Sequence, residues 1–392
     1  MIIATCIRQL KSSDGSVYGY LLCRNDGQKY TINKAKLIEG ISTNNIFVTN
    51  ARICGYDIIV GVGVEKESGH KEDDYAILPT ESVRRIVNNI ANKEGVVLKT
   101  NKDLGLFCAK VNMADTTAKV EKLSNDIILI HSDVDIFVTT KNKFSANSLE
   151  NVFYGQYTDS SVLELNIKNF DTSRVTTMHK LFEDVRASVF DASNLNTERV
   201  LDISKMFRYS KFEKIDISKL NLSNVIDMSS LFEGCVCSEI ILGCIDTSKV
   251  LNMAFMFSML DTDTIDVSNI RTYNVITMEG MFSQCKCSKI IGVENFNTSS
   301  VKNFANMFSY VNIDKLNLSG YDMSEAVNIS RMFYGANIRE LNISNWQLDK
   351  VQNMNEIFKY SNIERLIISK EQNIIPELLR KCNFAGVIEL ID

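Results

Sequence analysis

The sequence predicts an α/β solenoid, a stack of 25-residue units that each carry a short parallel strand and a short helix. Three periodicities predict it. A hydrophobic pair recurs as Leu181-Phe182, Met206-Phe207, Leu231-Phe232, Met256-Phe257, Met281-Phe282, Met307-Phe308, Met332-Phe333 and Ile357-Phe358, at steps of 25 residues with one of 26. An alternating apolar pair lies 17 residues ahead of most of these Phe positions, from Leu165/Ile167 through Ile215/Ile217 and Ile265/Val267 to Leu341/Ile343. Between the two, Val175, Met178, Leu181 and Phe182 stand at i, i+3, i+6 and i+7, and Val250, Met253, Met256 and Phe257 repeat the spacing.

Residues 1–75 follow a different grammar. Val17–Cys23 and Lys29–Ile32 flank Asn25-Asp26-Gly27, which reads as a β-hairpin closed on Asp-Gly. Apolar segments follow at 46–48, 52–54 and 58–60, so a small β-rich N-terminal domain is expected, ending in the polar run 65–74. From Thr80, Val83, Ile86, Val87 and Ile90 share one helical face, with Gly95 just past the end. Residues 76–135 are expected to form a small α/β segment capping the solenoid. The array itself should run over 136–365, opening on a degenerate repeat with Ile136/Val138 as strand and Leu149, Val152 and Phe153 as helix. Residues 366–392, with Pro376–Phe384 and Val387–Ile391, should form a C-terminal cap.

Within each repeat, alternation over so short a span is the strand period, with two inward side chains. A polar cluster such as Asp171-Thr172-Ser173 or Asp246-Thr247-Ser248 then stands where it would cap the free N–H groups of a two-turn helix. A single unit cannot bury its own apolar stripe, so neighbouring rungs must supply the stability, their strands pairing in parallel about 4.8 Å apart.

The unit resembles the BspA-like leucine-rich repeat, roughly L-x-L-S-N-F-D-T-S-x-V-x-x-M-x-x-M-F, which stands here as the run from Leu165 to Phe182. The likeness covers about residues 161–365. It implies a leucine-rich-repeat array and a binding role, since that family is best known from secreted or surface-attached proteins that bind host or matrix proteins.

Composition narrows the function. A formal charge of −5 argues against a general nucleic-acid or anionic-membrane binder. The N-terminus shows no basic region followed by a long apolar run, and ten Cys in such a chain read as reduced thiols, so a cytoplasmic protein is expected. Cys235-x-Cys237 and Cys285-x-Cys287 suggest paired metal ligands, but two rungs at about 4.8 Å hold them too far apart for zinc–sulfur bonds near 2.3 Å. His131-Ser132-Asp133 spells triad letters without triad geometry, and neither a phosphate loop nor a nucleophile elbow is present. No catalytic residue, cofactor or metal is expected. Asn169, Asn194, Asn269, Asn295 and Asn345 share one slot after the strand, where an Asn side chain would bond turn backbone.

The outward strand positions vary while the core keeps phase, which suits a contact surface for another protein. They are Asn166, Asp191, Asp216, Asp266, Asn317 and Asn342, flanked by Lys214, Glu239, Lys315 and Glu340. Tyr209, Tyr310 and Tyr360 follow the Phe by two residues and are expected to emerge on a loop edge as interface anchors. The expected function is non-enzymatic protein binding by surface complementarity. Two alternatives stand beside it: a phage- or prophage-encoded, anti-CRISPR-like inhibitor of a host defence enzyme, and an enzyme or effector active in residues 1–135 with repeats for targeting.

Overall fold

A computed structural model describes residues 2–11, 17–24, 29–33, 41–43, 46–53, 56–63, 75–91, 96–100, 119–124, 126–131, 135–139, 141–155, 162–163, 170–190, 195–370, 384 and 386–391. The chain divides into two compact units, Met1–Asn147 with Asn166–Arg174, and Ser148–Leu165 with Val175–Asp392. Gly95, the 65–74 run and most of 371–385 lie outside the described residues.

The first unit begins with β1 (Ile2–Lys11), β2 (Val17–Arg24), β3 (Lys29–Asn33), β4 (Ile41–Thr43), β5 (Ile46–Ile53) and β6 (Tyr56–Gly63). They make one sheet in the order β3-β2-β1-β6-β5-β4, and β2 and β3 are the expected antiparallel pair. The segment at 46–48 and residues 52 and 53 of the next one merge into β5, and Cys54 lies outside the described residues. After β7 (Tyr75–Ile77), α1 (Thr80–Ala91) buries Val83, Ile86 and Val87, while Ile90 is exposed. Next come β8 (Val96–Lys99), β9 (Lys119–Lys122), β10 (Ile127–His131) and β11 (Asp135–Thr139), a four-stranded sheet in the order β8-β11-β10-β9. Ile136 and Val138, expected as the strand of a degenerate repeat, lie in β11 with an antiparallel neighbour on one side. The unit also holds β12 (Lys143–Ser145), which pairs in parallel with β7 and, beyond β13 (Val162–Leu163) of the second unit, with β14 (Phe170–Asp171).

The second unit is a parallel β-solenoid. Its strands are β13, β15 (Val189–Phe190), β16 (Lys211–Asp216), β17 (Val236–Ile241), β18 (Thr264–Asp266), β19 (Lys289–Ile291), β20 (Asn312–Asn317), β21 (Asn337–Asn342), β22 (Asn362–Ser369) and β23 (Val387–Ile391). From β15 to β22, paired strands lie one repeat apart, Ile215 with Ile240, Ile265 with Ile290, and Leu316 with Leu341 and Leu366, so each slot stacks on itself. A second ladder of parallel bridges runs through nine residues, Ser148, Thr177, Asp202, Asp227, Asn252, Thr277, Asn303, Asn328 and Asn353, one per rung. Leu149, Val152 and Phe153 belong to the first of these rungs, with Phe153 N–H donating to Leu181 O.

The strand is longer and more pinched than alternation predicts. The N–H groups of Glu213 and Lys214 both reach the Ser188 carbonyl, at 2.8 and 3.1 Å, so Phe212 and Ile215 face the core with two residues between them.

The expected helix is a correction. Among the described residues of the solenoid no α-helix is formed, and the stretch from Met178 to Val185 is a run of tight turns. Lys180 and Asp184 have φ of 55° and 56°, and the same two slots are left-handed on every rung through Glu356 and Tyr360. N–H groups alternate in purpose. Leu181 N–H closes a turn on Met178 O at 3.1 Å, whereas Phe182 N–H donates to Met206 O on the next rung at 2.8 Å. A left-handed residue at the third turn position is the type II signature, and it is incompatible with α-helix. Consecutive three-residue turns return Val175, Met178, Leu181 and Phe182 to the core, all buried, at the spacing a helix would also give. A leucine-rich α/β unit is therefore replaced by a rung of strand and turns.

The core is a column of repeated slots. From Phe182 to Phe358 the buried rings stack with centroids 5.5–6.0 Å apart. The one 26-residue step is absorbed at Gly292, where φ is 84° and a single 3₁₀ turn (Val293–Asn295) follows. A Cβ on Gly292 would stand 2.4 Å from Ser268 Cα, so only glycine fits there.

Candidate functional site

The Asp/Asn-x-Ser clusters build the corners of each rung. Asp246 Oδ1 accepts the N–H of Ser248 at 3.0 Å, and Asp202 Oδ1 accepts the N–H and hydroxyl of Ser204 at 2.8 and 2.6 Å. Such Asx turns use a side-chain oxygen to satisfy backbone that a tight bend leaves unpaired. They replace the helix caps expected from the same clusters. In the Asn slot after the strand, Asn345 accepts from the Ser369 hydroxyl, and Asn169 and Asn194 lie outside the described residues.

The outward strand positions prove to serve the same purpose. Asp216, Asp266, Asn317 and Asn342 each accept the N–H of the Ser two residues on, at 2.9, 3.0, 3.2 and 3.0 Å. Burial raises the Asp216 carboxyl, but hydrogen bonds from Ser218 and the charge of Lys214 bring it below its usual value. Bonds from the Ser268 side chain and backbone do the same for Asp266. Asn166 and Asp191 lie outside the described residues.

Flanking charges are paired across rungs. Lys214 meets Glu239 at 3.1 Å, and Lys315, Glu340 and Arg365 form a chain at 3.3 and 2.8 Å. Lys315 and Arg365 together hold Glu340 below the usual carboxylate value. Opposite charges facing each other on adjacent strands stabilise the sheet modestly and leave a partner less to pair with.

The tyrosines do form an exposed edge. Tyr209, Tyr310 and Tyr360 are 46%, 53% and 72% exposed, each at the second left-handed corner of its rung. Tyr334 joins the last two, ring centroids 5.4 Å from Tyr310 and 5.3 Å from Tyr360, both edge-on. Cations lie over the rings: Arg208 over Tyr209 at 4.4 Å, Arg331 over Tyr334 at 5.5 Å and Lys359 over Tyr360 at 5.2 Å.

A second exposed ladder escaped the sequence reading. Leu201, Ile226, Leu251 and Ile276 are 46%, 41%, 39% and 43% exposed on four consecutive rungs. Each N–H donates to the carbonyl of the residue one rung back, at 2.8–2.9 Å, which fixes the side chains in a row about 4.8 Å apart. Thr176 precedes the row and Lys302 follows it. The signal lay in the dipeptides Val200-Leu201, Val225-Ile226, Val250-Leu251 and Val275-Ile276. Extended neighbours point to opposite faces, so with each Val buried the second apolar residue must face water.

Concave and polar candidates are fewer. A surface cavity of about 640 Å³ is lined by Arg186, Lys211, Glu213, Cys237, Asp261 and Asp263 among others, mixed in charge. Among the described residues no group of three or more His, Cys, Asp or Glu side chains is placed to hold a metal, and no helix is long and apolar enough to cross a membrane. Ser132 and Asp133 lie outside the described residues; His131 sits between Asp135 at 3.3 Å and Glu121 at 3.1 Å, and Arg85 and Asn89 also bond Asp135. His179 Nδ1 is 2.7 Å from Ser204 Oγ, whose proton goes to Asp202, so Ser204 accepts from the imidazole and is not activated by it.

A family model described as "Mycoplasma protein of unknown function, DUF285" matches residues 147–264, 210–291 and 253–369. These overlapping stretches span more than half of the 392 residues and follow the solenoid from its first rung to β22. No curated protein matches the chain.

Proposed function

The chain belongs to the DUF285 family of Mycoplasma proteins of unknown function, and from that premise we propose that it is a protein-binding repeat protein holding its partner along the Leu201–Ile276 row. The exposed row carries this reading. Four large aliphatic side chains held in line on a rigid ladder form a contiguous apolar strip, and such strips on folded surfaces mark contacts with other proteins. Binding is by complementarity, with no chemical step. The resemblance of residues 161–365 to BspA-like repeats, a family best known from secreted or surface-attached proteins that bind host or matrix proteins, supports the same role. The Tyr310–Tyr334–Tyr360 edge offers a second set of anchors, and Tyr and Arg are the side chains that most often dominate interface energies.

The test uses the full chain and a variant with Ile226→Asp and Leu251→Asp. Both positions are surface-exposed, so circular dichroism and the melting temperature should stay close to the parent. A partner recovered by affinity capture with the parent should be lost with the variant. Equal recovery by both proteins would remove the strip from the binding site.

A further inference from the structure

Two Cys-x-Cys pairs occupy matching slots two rungs apart, and their buried thiols have different partners. Cys235 Sγ lies 3.5 Å from Ser210 Oγ, and the Cys237 thiol faces the carbonyls of Glu239 and Glu213 at 3.0 and 3.6 Å. Cys285 Sγ instead lies 3.3 Å from Cys287 Sγ. The neighbouring rungs account for the contrast. Ser210 occupies the Cys235 slot one rung back and supplies a hydroxyl, whereas Cys285 has Leu260 behind it and Val311 ahead, both buried. A thiol confined between apolar side chains turns to the polar atom within reach, here the other sulfur.

We propose that Cys285 and Cys287 are a redox site, a dithiol that hydrogen peroxide converts to a disulfide within one rung. The sulfurs must close from 3.3 Å by roughly 1.2 Å to reach a bond length near 2.05 Å, a distance that side-chain rotation covers. Both cysteines line a surface cavity of about 620 Å³ with Gln284, Lys286, Ser288 and Tyr310, which admits a small oxidant to the otherwise buried pair.

The hydrogen bond between the thiols sets the order of events. Donation from Cys285 holds the Cys287 thiol below its usual value and pushes Cys285 up, which makes Cys287 the first thiolate. Its sulfur attacks one peroxide oxygen, the O–O bond breaks, and hydroxide leaves as a sulfenic acid forms. Hydroxide takes the proton that Cys287 gave up and becomes water. The Cys285 sulfur then attacks the sulfenic sulfur, the S–O bond breaks, and the departing hydroxyl takes the Cys285 proton as a second water. The two thiols lose two electrons together and the peroxide gains them.

The full chain, reduced and then exposed to graded hydrogen peroxide, is alkylated, digested with trypsin without reduction and mapped by mass spectrometry. Cleavage after Lys286 separates the two cysteines, so a bond between them shows as a joined peptide pair lacking two hydrogens. The exposed Cys244 reports that oxidant has been sufficient. The expected result is a Cys285–Cys287 link formed while Cys235 and Cys237 remain alkylatable thiols. If Cys244 oxidises and Cys285 and Cys287 both stay alkylatable, or if the Cys235 pair links just as fast, the proposal fails. A Leu260→Ser variant, checked for intact fold, offers Cys285 the hydroxyl that Cys235 has. It should form the link several-fold more slowly than the parent, and an unchanged rate would overturn the role given to the sulfur contact.

Discussion

The ring of Tyr209 lies directly on the backbone of Gly234, its counterpart one rung later: a Cβ on Gly234 would stand 2.3 Å from Tyr209 Cδ1. Tyr310 covers Gly335 in the same manner, and Phe255 covers Gly280 at the neighbouring corner. In all three places an aromatic residue in a left-handed corner is followed by a glycine in that slot, so the ring lies along the stack instead of standing off it. Gly234→Ala would place a methyl group in the ring and force φ of 64° on an L side chain, the latter alone costing about 1–2 kcal/mol. Gly155→Ala separates the two effects, because Gly155 has φ of 67° and nothing within 4 Å of its Cβ position. Thermal denaturation should show the larger loss for Gly234→Ala. Equal losses would mean that the ring contact contributes nothing to stability.

Phe257 is fully buried, with its ring between Phe232 at 5.7 Å and Phe282 at 5.6 Å. Truncation to Ala removes that ring from the middle of a column whose neighbours are held by rung-to-rung hydrogen bonds and cannot collapse into the gap. Phe257→Ala should cost about 3–5 kcal/mol in urea denaturation, and Phe257→Leu clearly less. Since Phe257 and Phe282 share a face, the double Ala variant should lose less than the sum of the singles. Strict additivity would show that the rings act independently.

How much of this was legible follows from where each constraint lives. The inward slots were readable because burial selects side chains locally, and eight copies of Met-Phe, Leu-Phe or Ile-Phe fix the phase. The path of the chain between Val175 and Phe182 was not. Apolar residues three apart satisfy a helix and a run of turns alike, and the left-handed corners are filled by Lys180, Lys205, Phe255 and Arg331, side chains that do not advertise positive φ. What holds them there is a hydrogen bond to a residue about 25 positions away, such as Lys180 N–H to Ser204 O, and no local pattern encodes it. The work done by the outward strand positions was hidden for a related reason. Asp216 and Asn342 look free in an alternating strand, yet each bends back to the Ser two residues on, while the aliphatic row is visible only when the second residue of each Val-Leu or Val-Ile pair is traced across rungs.

Glu340 stands between Lys315 and Arg365 on the outer face of the sheet. Glu340→Lys would put three cations on consecutive rungs about 4.8 Å apart, a like-charge row that destabilises a strand pair. The melting temperature should fall more in dilute buffer than in about 1 M salt, where the screening length is roughly 3 Å. Glu340→Gln should fall less, because the amide still accepts a hydrogen bond. A loss independent of salt would assign the effect to packing.

Asp246, Asp266 and Asp322 are corner residues whose carboxyls lie below the ordinary 3.8 because the Ser two positions on donates its hydroxyl and its N–H. Protonation removes the charge that these donors favour. For a carboxyl whose folded value lies below its unfolded one, the extra stability is complete above the unfolded value and is lost as pH falls through the folded value. The parent should therefore lose stability as pH falls below about 4. Asn occupies the Asp246 and Asp322 corner at Asn221 and Asn297, and the Asp266 corner at Asn317 and Asn342, and each still accepts from the Ser two residues on, so Asn keeps the bend without the titration. A chain with Asp246→Asn, Asp266→Asn and Asp322→Asn should be somewhat less stable than the parent near neutrality, where the charge-assisted bonds are gone. Its urea midpoint should then fall less between about pH 5 and 2, so that the two curves draw together in acid. Parallel curves over that range would show that these corners do not carry the acid sensitivity of the fold.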